Sequence, residues 1–126
     1  MDKKRGDFMN YVPERGDIVW LDFDPQAGHE QAGRRPALVI SPFYYNKKVG
    51  LAICCPVTNQ EKGYPFEVKL PKNLKAKGVI LSDQVKNLDW QQREVKFLCK
   101  VSEEVLEEVF EKIETNIAVD ENIFKN

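Results

Sequence analysis

The chain has 126 residues, 42% of them hydrophobic and 31% charged, the balance of one globular domain large enough for a core of its own. No run approaches the roughly 18 apolar residues of a membrane span, and a net charge of −1 excludes a uniformly basic nucleic-acid coat. The near-neutral total is divided along the chain: residues 1–101 carry 17 Lys and Arg against 12 Asp and Glu, net +5, and residues 102–126 carry 2 against 8, net −6.

Residues 1–10 (MDKKRGDFMN) are charged and lack an apolar signal core, so a loose arm is expected there and secretion is not. Gly16 opens Asp17–Phe23, whose β-branched and aromatic residues predict a strand ended by Asp24-Pro25. Residues 24–35 (DPQAGHEQAGRR) read as a long polar loop, and a loop of that length in so small a domain points to function. Pro36–Ile40 is a continuous apolar run, the mark of a strand buried on both faces. Phe43–Asn46 predicts one helical turn. Gly50–Cys55 predicts another buried strand, closed by Pro56 and reaching Val57-Thr58 at most. Phe66, Val68 and Leu70 alternate with Glu67 and Lys69, a half-buried strand with its charges toward solvent.

Residues 71–78 (PKNLKAKG) predict a basic loop, Val79–Leu81 a short strand, and Asp83–Gln92 an irregular stretch or helical turn. Val95, Phe97, Cys99 and Val101 then alternate with Glu94, Lys96 and Lys100, a second half-buried strand. The period changes after that. Val105, Leu106, Val109, Phe110, Ile113 and Ile117 follow helical spacing. Ser102 is placed to cap this helix, and Glu103 and Glu104 lie where its dipole favours negative charge. Residues 118–126 form a short tail. Five to seven short strands and one closing helix fit a small barrel, either SH3-like or OB-like.

Cys54, Cys55 and Cys99 are an odd number with an adjacent pair, which is no disulfide framework. Neighbours on a strand face opposite ways, so reduced, buried thiols of a cytoplasmic protein are expected. His29 is the single histidine and no CxxC occurs, so no metal site or other cofactor is expected. Chemistry concentrates in Gly28-His29-Glu30-Gln31-Ala32-Gly33-Arg34-Arg35-Pro36, a carboxylate and two guanidiniums on a glycine-hinged loop. Arginine suits phosphate because its fork donates two parallel hydrogen bonds and stays charged. Pro36 restricts Arg35 to an extended backbone at the strand start. A solvated surface loop is the plain alternative.

Thr58 stands where a strand enters a polar loop, with its hydroxyl toward a ligand or satisfied by its own turn. Asp83-Gln84 follow a strand and could read base edges or cap a turn. Lys47, Lys48, Lys62, Lys72, Lys75, Lys77 and Lys86, scattered among Phe43, Tyr44, Tyr45 and Tyr64, fit either single-stranded RNA binding or an ordinary surface. Trp20 and Trp90 read as core or interface residues.

Tyr11-Val12-Pro13 followed by Gly16–Pro25 resembles the opening of MazF/PemK-type toxins, and so does Gly28–Pro42. Pro56-Val57-Thr58-Asn59-Gln60, Lys62-Gly63-Tyr64-Pro65-Phe66-Glu67-Val68 and Asp83-Gln84-Val85-Lys86 continue the match. Their order and spacing span residues 11–117, closest to the MazF branch, with the arm 1–10 and the tail 118–126 outside. The resemblance implies a mainly β fold with a C-terminal helix, the SH3-like small barrel of MazF/PemK/CcdB-type toxins, assembled as a homodimer.

It also implies a sequence-specific, metal-independent endoribonuclease that cuts single-stranded RNA. A cognate MazE-like antitoxin with a disordered acidic tail would block the RNA groove. The family's catalytic Arg and Thr fall on Arg35 and Thr58, and the loop carboxylate of the MazF branch on Glu30. His29, Gln31, Arg34, Asn59, Gln60, Lys62, Asp83, Gln84 and Lys86 become expected substrate-binding residues. The PemK branch has an active-site Arg two positions before the Asp. Here that position is Leu81, so that role is not carried over.

RNA supplies its own nucleophile. Attack of the 2′-hydroxyl on the adjacent phosphorus leaves a 2′,3′-cyclic phosphate and a 5′-hydroxyl, and the protein has only to align the attack, neutralise the phosphorane and move protons. In this scheme Arg35 stabilises the phosphorane, Thr58 donates to a phosphoryl oxygen, and Glu30 acts as base or orients Arg35. A binding module without catalysis and a gyrase-poisoning toxin of the same fold are the competing functions. The loop motif Glu30…Arg35-Pro36 argues against the second. The acidic helix is expected to lie away from the RNA groove.

Overall fold

The computed structural model describes residues 11–25 and 28–117, so the expected arm and tail lie outside the described residues. The elements run β1 (Asp17–Asp22), β2 (Arg34–Val39), α1 (Phe43–Val49), β3 (Leu51–Thr58), β4 (Glu67–Lys69), β5 (Val79–Leu81), β6 (Lys86–Asp89), β7 (Lys96–Lys100) and α2 (Glu103–Ile117). The strands pair antiparallel in the order β4-β5-β3-β2-β1-β7, with β6 beside β3. This is the mainly β architecture with a C-terminal helix that was expected. Among the described residues no pairing joins β4 to β7, so the barrel is not closed by hydrogen bonds.

Neighbouring residues of the central strands serve two cores. Ile18, Leu38, Cys55, Val57 and Ile80 pack in one cluster with Val105 and Val109 of α2. Val19, Leu21, Ala37, Val39 and Cys54 pack in another with Tyr11, Phe23, Leu88 and Trp90. Burial on both faces explains the continuous apolar runs of β2 and β3. It also separates Cys54 from Cys55 as expected, and all three thiols are free. Burial pushes the Cys55 thiol up to about 12, and that of Cys54 further up.

Several expectations are corrected. Residues 83–92 contain a strand: Lys86–Asp89 pair with Leu51–Cys54 of β3. Only Leu88 of β6 is buried, so its hydrogen bonds, rather than an apolar pattern, define it. Strand β3 runs through Pro56. On one edge β6 pairs as far as Cys54 and β5 begins at Val57, so Pro56 stands in the gap, where a missing N–H interrupts no pairing on that edge.

Glu67 does not face solvent; it is buried, for a reason given below. In β7 the expected alternation breaks at a bulge opposite Ile18 and Val19, which sends Phe97 to one cluster and Cys99 to the other. The expected turn at Phe43 is a seven-residue helix closed by Gly50 in the left-handed conformation.

Helix α2 forms as its spacing requires. Ser102 Oγ accepts from the Val105 N–H, and Glu103 and Glu104 occupy the first turn. Val105 and Val109 are buried, whereas Phe110 lies at the margin under the Arg15 guanidinium and Ile117 is exposed. Lys112 reaches across to donate to the carbonyls of Pro65 and Glu67, and so ties α2 to the loop entering β4.

Candidate functional site

Pairing of β1, β2 and β3 brings the long loop after β1, the loop after β3 and the turn after β5 to one end of the sheet. The first loop is cinched at its neck. The Phe23 N–H donates to the Gly33 carbonyl, and the Gly33 N–H to Asp24 Oδ1. Gly33 has φ +76°, a conformation that favours glycine. The Glu30 carboxylate pairs with Lys86 Nζ at 2.5 Å, and the Gln31 N–H donates to Gln84 Oε1 at 3.1 Å. The β1–β2 loop is thereby fastened to the segment 83–86.

Arg35 enters this site from β2. Its Nε donates to the Ala32 carbonyl at 2.8 Å and its Nη1 to the Val57 carbonyl at 3.3 Å. Burial lowers its pKa from the ordinary value, against an opposing pull from Asp24. The residue after Val57 is Thr58, 9% exposed at the end of β3. Its Oγ1 accepts from the Gln60 N–H at 3.1 Å, which leaves the hydroxyl proton available for donation. The turn-satisfied Thr and the ligand-facing Thr are thus compatible.

Thr58 separates two depressions. One, of about 320 Å³, is lined by Arg34, Arg35, Thr58, Asn59, Lys75 and Lys77, among others. The other, of about 170 Å³, holds His29, Gln31, Gln60, Lys62 and Gln84 beside Tyr64 and Phe66. Tyr64 and Phe66 stack with ring centroids 5.1 Å apart. No residue of α2 lines either depression, although Lys112 reaches the carbonyl of Glu67, which lines the smaller one.

Most expected site residues therefore meet around Thr58. Three line neither depression: Glu30 and Lys86, which are paired with each other, and Asp83, which occupies the turn after β5. Burial raises the Asp83 pKa, and the Glu67 carboxylate adds to the rise, while a backbone hydrogen bond opposes it. The Arg34 guanidinium lines the larger cavity but is also bound to the carbonyls of Arg93 and Glu94. Trp20 lines the larger cavity and is half-buried, unlike the buried Trp90.

Sequence reasoning missed the supports. The buried Glu67 carboxylate accepts from the backbone N–H groups of Lys62 and Gly63, which holds the β3–β4 loop. Alternation along β4 conceals this, because a hydrogen-bonded carboxylate can be buried where a bare one cannot. Gly78 is the other support. A Cβ there would lie 2.0 Å from the Thr58 carbonyl oxygen, so glycine is required for β5 to meet β3. A glycine closing a basic loop before an apolar triplet was the available signal.

An antiparallel sheet with one closing helix, and a guanidinium and a hydroxyl between three charged loops, defines a small β protein with a cationic, hydroxyl-bearing cleft. The chain belongs to the PemK-like, MazF-like toxin family of type II toxin–antitoxin systems, whose family model matches residues 14–117. It is 57% identical over 83 residues to the endoribonuclease toxin MazF of Escherichia coli K12, covering 66% of this chain and 74% of that protein. The crystal structure of MazF from Deinococcus radiodurans is 51% identical, with a TM-score of 0.85, over 87% of this chain and all of that one. A MazE–MazF complex from the same organism is 50% identical, with a TM-score of 0.79 over 88% of this chain.

Proposed function

We propose that this toxin is a sequence-specific endoribonuclease that cleaves single-stranded RNA through Arg35 and Thr58, with Glu30 assisting. One observation carries the assignment of residues: Arg35 Nη1 is bonded to the carbonyl of Val57, the residue preceding Thr58, so guanidinium and hydroxyl share one wall of the cavity. The 2′-hydroxyl attacks phosphorus to form the cyclic P–O bond as the bond to the 5′-oxygen breaks, and the 5′-oxygen takes a proton from solvent. Charge develops on the non-bridging oxygens, where a pre-fixed guanidinium and an O–H donor stabilise it without reorganisation. A charged guanidinium is a poor base, so the 2′-hydroxyl proton passes to Glu30, whose carboxylate Lys86 orients.

The depression holding His29, Gln31, Gln60 and Gln84 supplies amide and imidazole groups for base edges, with Lys62 for the backbone. Arg34 and Asn59 on the larger cavity, and Asp83 and Lys86 beside Gln84 in the chain, serve as further substrate contacts. The chain works in the cytoplasm as a homodimer and is neutralised by a MazE-like antitoxin. The relatives named MazF and the MazE–MazF complexes support this reading.

The test is incubation of the purified protein with single-stranded RNA in EDTA, followed by analysis of fragment ends. The expected products carry 2′,3′-cyclic phosphate and 5′-hydroxyl ends. A 3′-hydroxyl with a 5′-phosphate would sink the 2′-hydroxyl route. Folded Arg35→Ala and Thr58→Ala should each lose roughly 10²–10³ in rate. Near-normal cleavage by either would remove that residue from the mechanism.

A further inference from the structure

The larger cavity differs in chemistry from the smaller one across Thr58. Its charged lining is wholly basic: Arg34 and Arg35 from β2 on one side, Lys75 and Lys77 from the β4–β5 loop on the other. The smaller depression combines neutral amides, His29 and an aromatic stack, and its one lysine, Lys62, is offset by the Glu67 carboxylate. An RNA chain crossing Thr58 would therefore pass from a surface suited to bases onto one suited to phosphates.

The basic loop is built into the site. Ala76 is buried in the core, Leu74 packs against it, and Lys75 and Lys77 flank Ala76 on the exposed side. The Leu70 N–H donates to the Gly78 carbonyl at 3.0 Å, closing the loop. Gly78 lies directly on the Thr58 backbone, so the cations are referenced to the residue at the centre of the site. Lys77 Nζ is spent on the Lys72 carbonyl at 2.6 Å. Lys75 has no hydrogen-bond or ion-pair partner among the described residues.

We propose that this cavity is a second phosphate subsite, in which Lys75 binds the RNA phosphate adjoining the scissile one. The subsite rests on the endoribonuclease reading above and extends it to a residue outside the reacting centre. An ammonium on a flexible stem is a point charge, which holds a phosphate without reading sequence. Lys75 is therefore a binding residue that contributes affinity for any RNA rather than choice among sequences.

The test uses the full chain and a short RNA with one cleavage site, in steady state from low to moderate salt. Lys75→Ala should raise KM roughly two- to fivefold at low salt with kcat within about 1.5-fold, the scale of one exposed charge pair. Its salt slope should be shallower by about 0.7, one phosphate contact on a single strand. Lys47→Ala, on α1, should match wild type. A second RNA carries an uncharged methylphosphonate beside the scissile phosphate. Wild type should lose affinity for it, and Lys75→Ala should lose nothing more. An unchanged KM for Lys75→Ala, or an equal loss on the charged and uncharged RNAs, would overturn the subsite. Absence of cleavage by the wild type would instead overturn the endoribonuclease reading.

Discussion

Arg35 is a cation held in place by neutral partners. Its two backbone carbonyl contacts fix the guanidinium without neutralising it, so its charge remains available to a phosphorane. Lysine has one point of charge and no fork, so it cannot reproduce both contacts. Asp83 illustrates a residue whose charge works against the fold. Its carboxyl is raised above the ordinary value by burial first and by Glu67 in addition. The ionised form is therefore disfavoured in the native state. That penalty is fully present above the folded pKa and absent below the unfolded value, so stability falls as pH rises between them. Asp83 is exposed, so solvent screens the effect, and Asp83→Asn should stabilise the protein only slightly at neutral pH. The gain should vanish in acid below the unfolded carboxylate pKa, as denaturant midpoints measured across that range would reveal.

At the scale of elements, one close contact positions the site's strands and one buried side chain anchors α1. Gly78, at φ +105°, lets β5 approach β3 until only hydrogen separates it from the Thr58 carbonyl. Gly78→Ala should cost at least about 1–3 kcal/mol, as overpacking does, and should depress cleavage by displacing Thr58. A stable variant with normal kcat would show that the contact is dispensable. Asn46 does comparable service for α1. It is fully buried, donates to the carbonyls of Pro13 and Ser41, accepts from Ser41 Oγ, and its own carbonyl receives the Trp90 N–H. Asn46→Ala strands several buried polar groups and should lower unfolding free energy by about 1–3 kcal/mol, read from chemical denaturation.

These elements also mark how far local pattern reaches. Continuous apolar runs located β2 and β3, and helical spacing located α2. Segment 86–89 carries no such pattern and becomes a strand through pairing with β3. Glu67 alternates as a solvent-facing residue would, yet the backbone of its own loop draws it inward. The candidate residues Arg35, Thr58, Glu30 and Gln84 were legible through motif. Lys75 was one lysine among many until its loop was seen to close on Thr58.

For the whole molecule the division of charge has a structural counterpart. The acidic α2 covers one core and is tied to the β3–β4 loop through Lys112, and none of its residues lines either depression. On the proposed function, RNA and an acidic antitoxin segment would compete for the cationic end. An acidic antitoxin peptide should therefore inhibit cleavage competitively and lose potency as salt rises. Inhibition kinetics at two salt concentrations would test this, and purely non-competitive inhibition would contradict it. Sequence alone determined which segments bury apolar faces and which motif residues are candidates for phosphate chemistry, because both are written in local spacing and residue type. Tertiary structure alone decided that β6 pairs with β3, that Glu67 is buried, and that Arg35 and Lys75 face one cavity across Thr58. Those outcomes depend on hydrogen bonds and close approaches between distant segments, which no local period encodes.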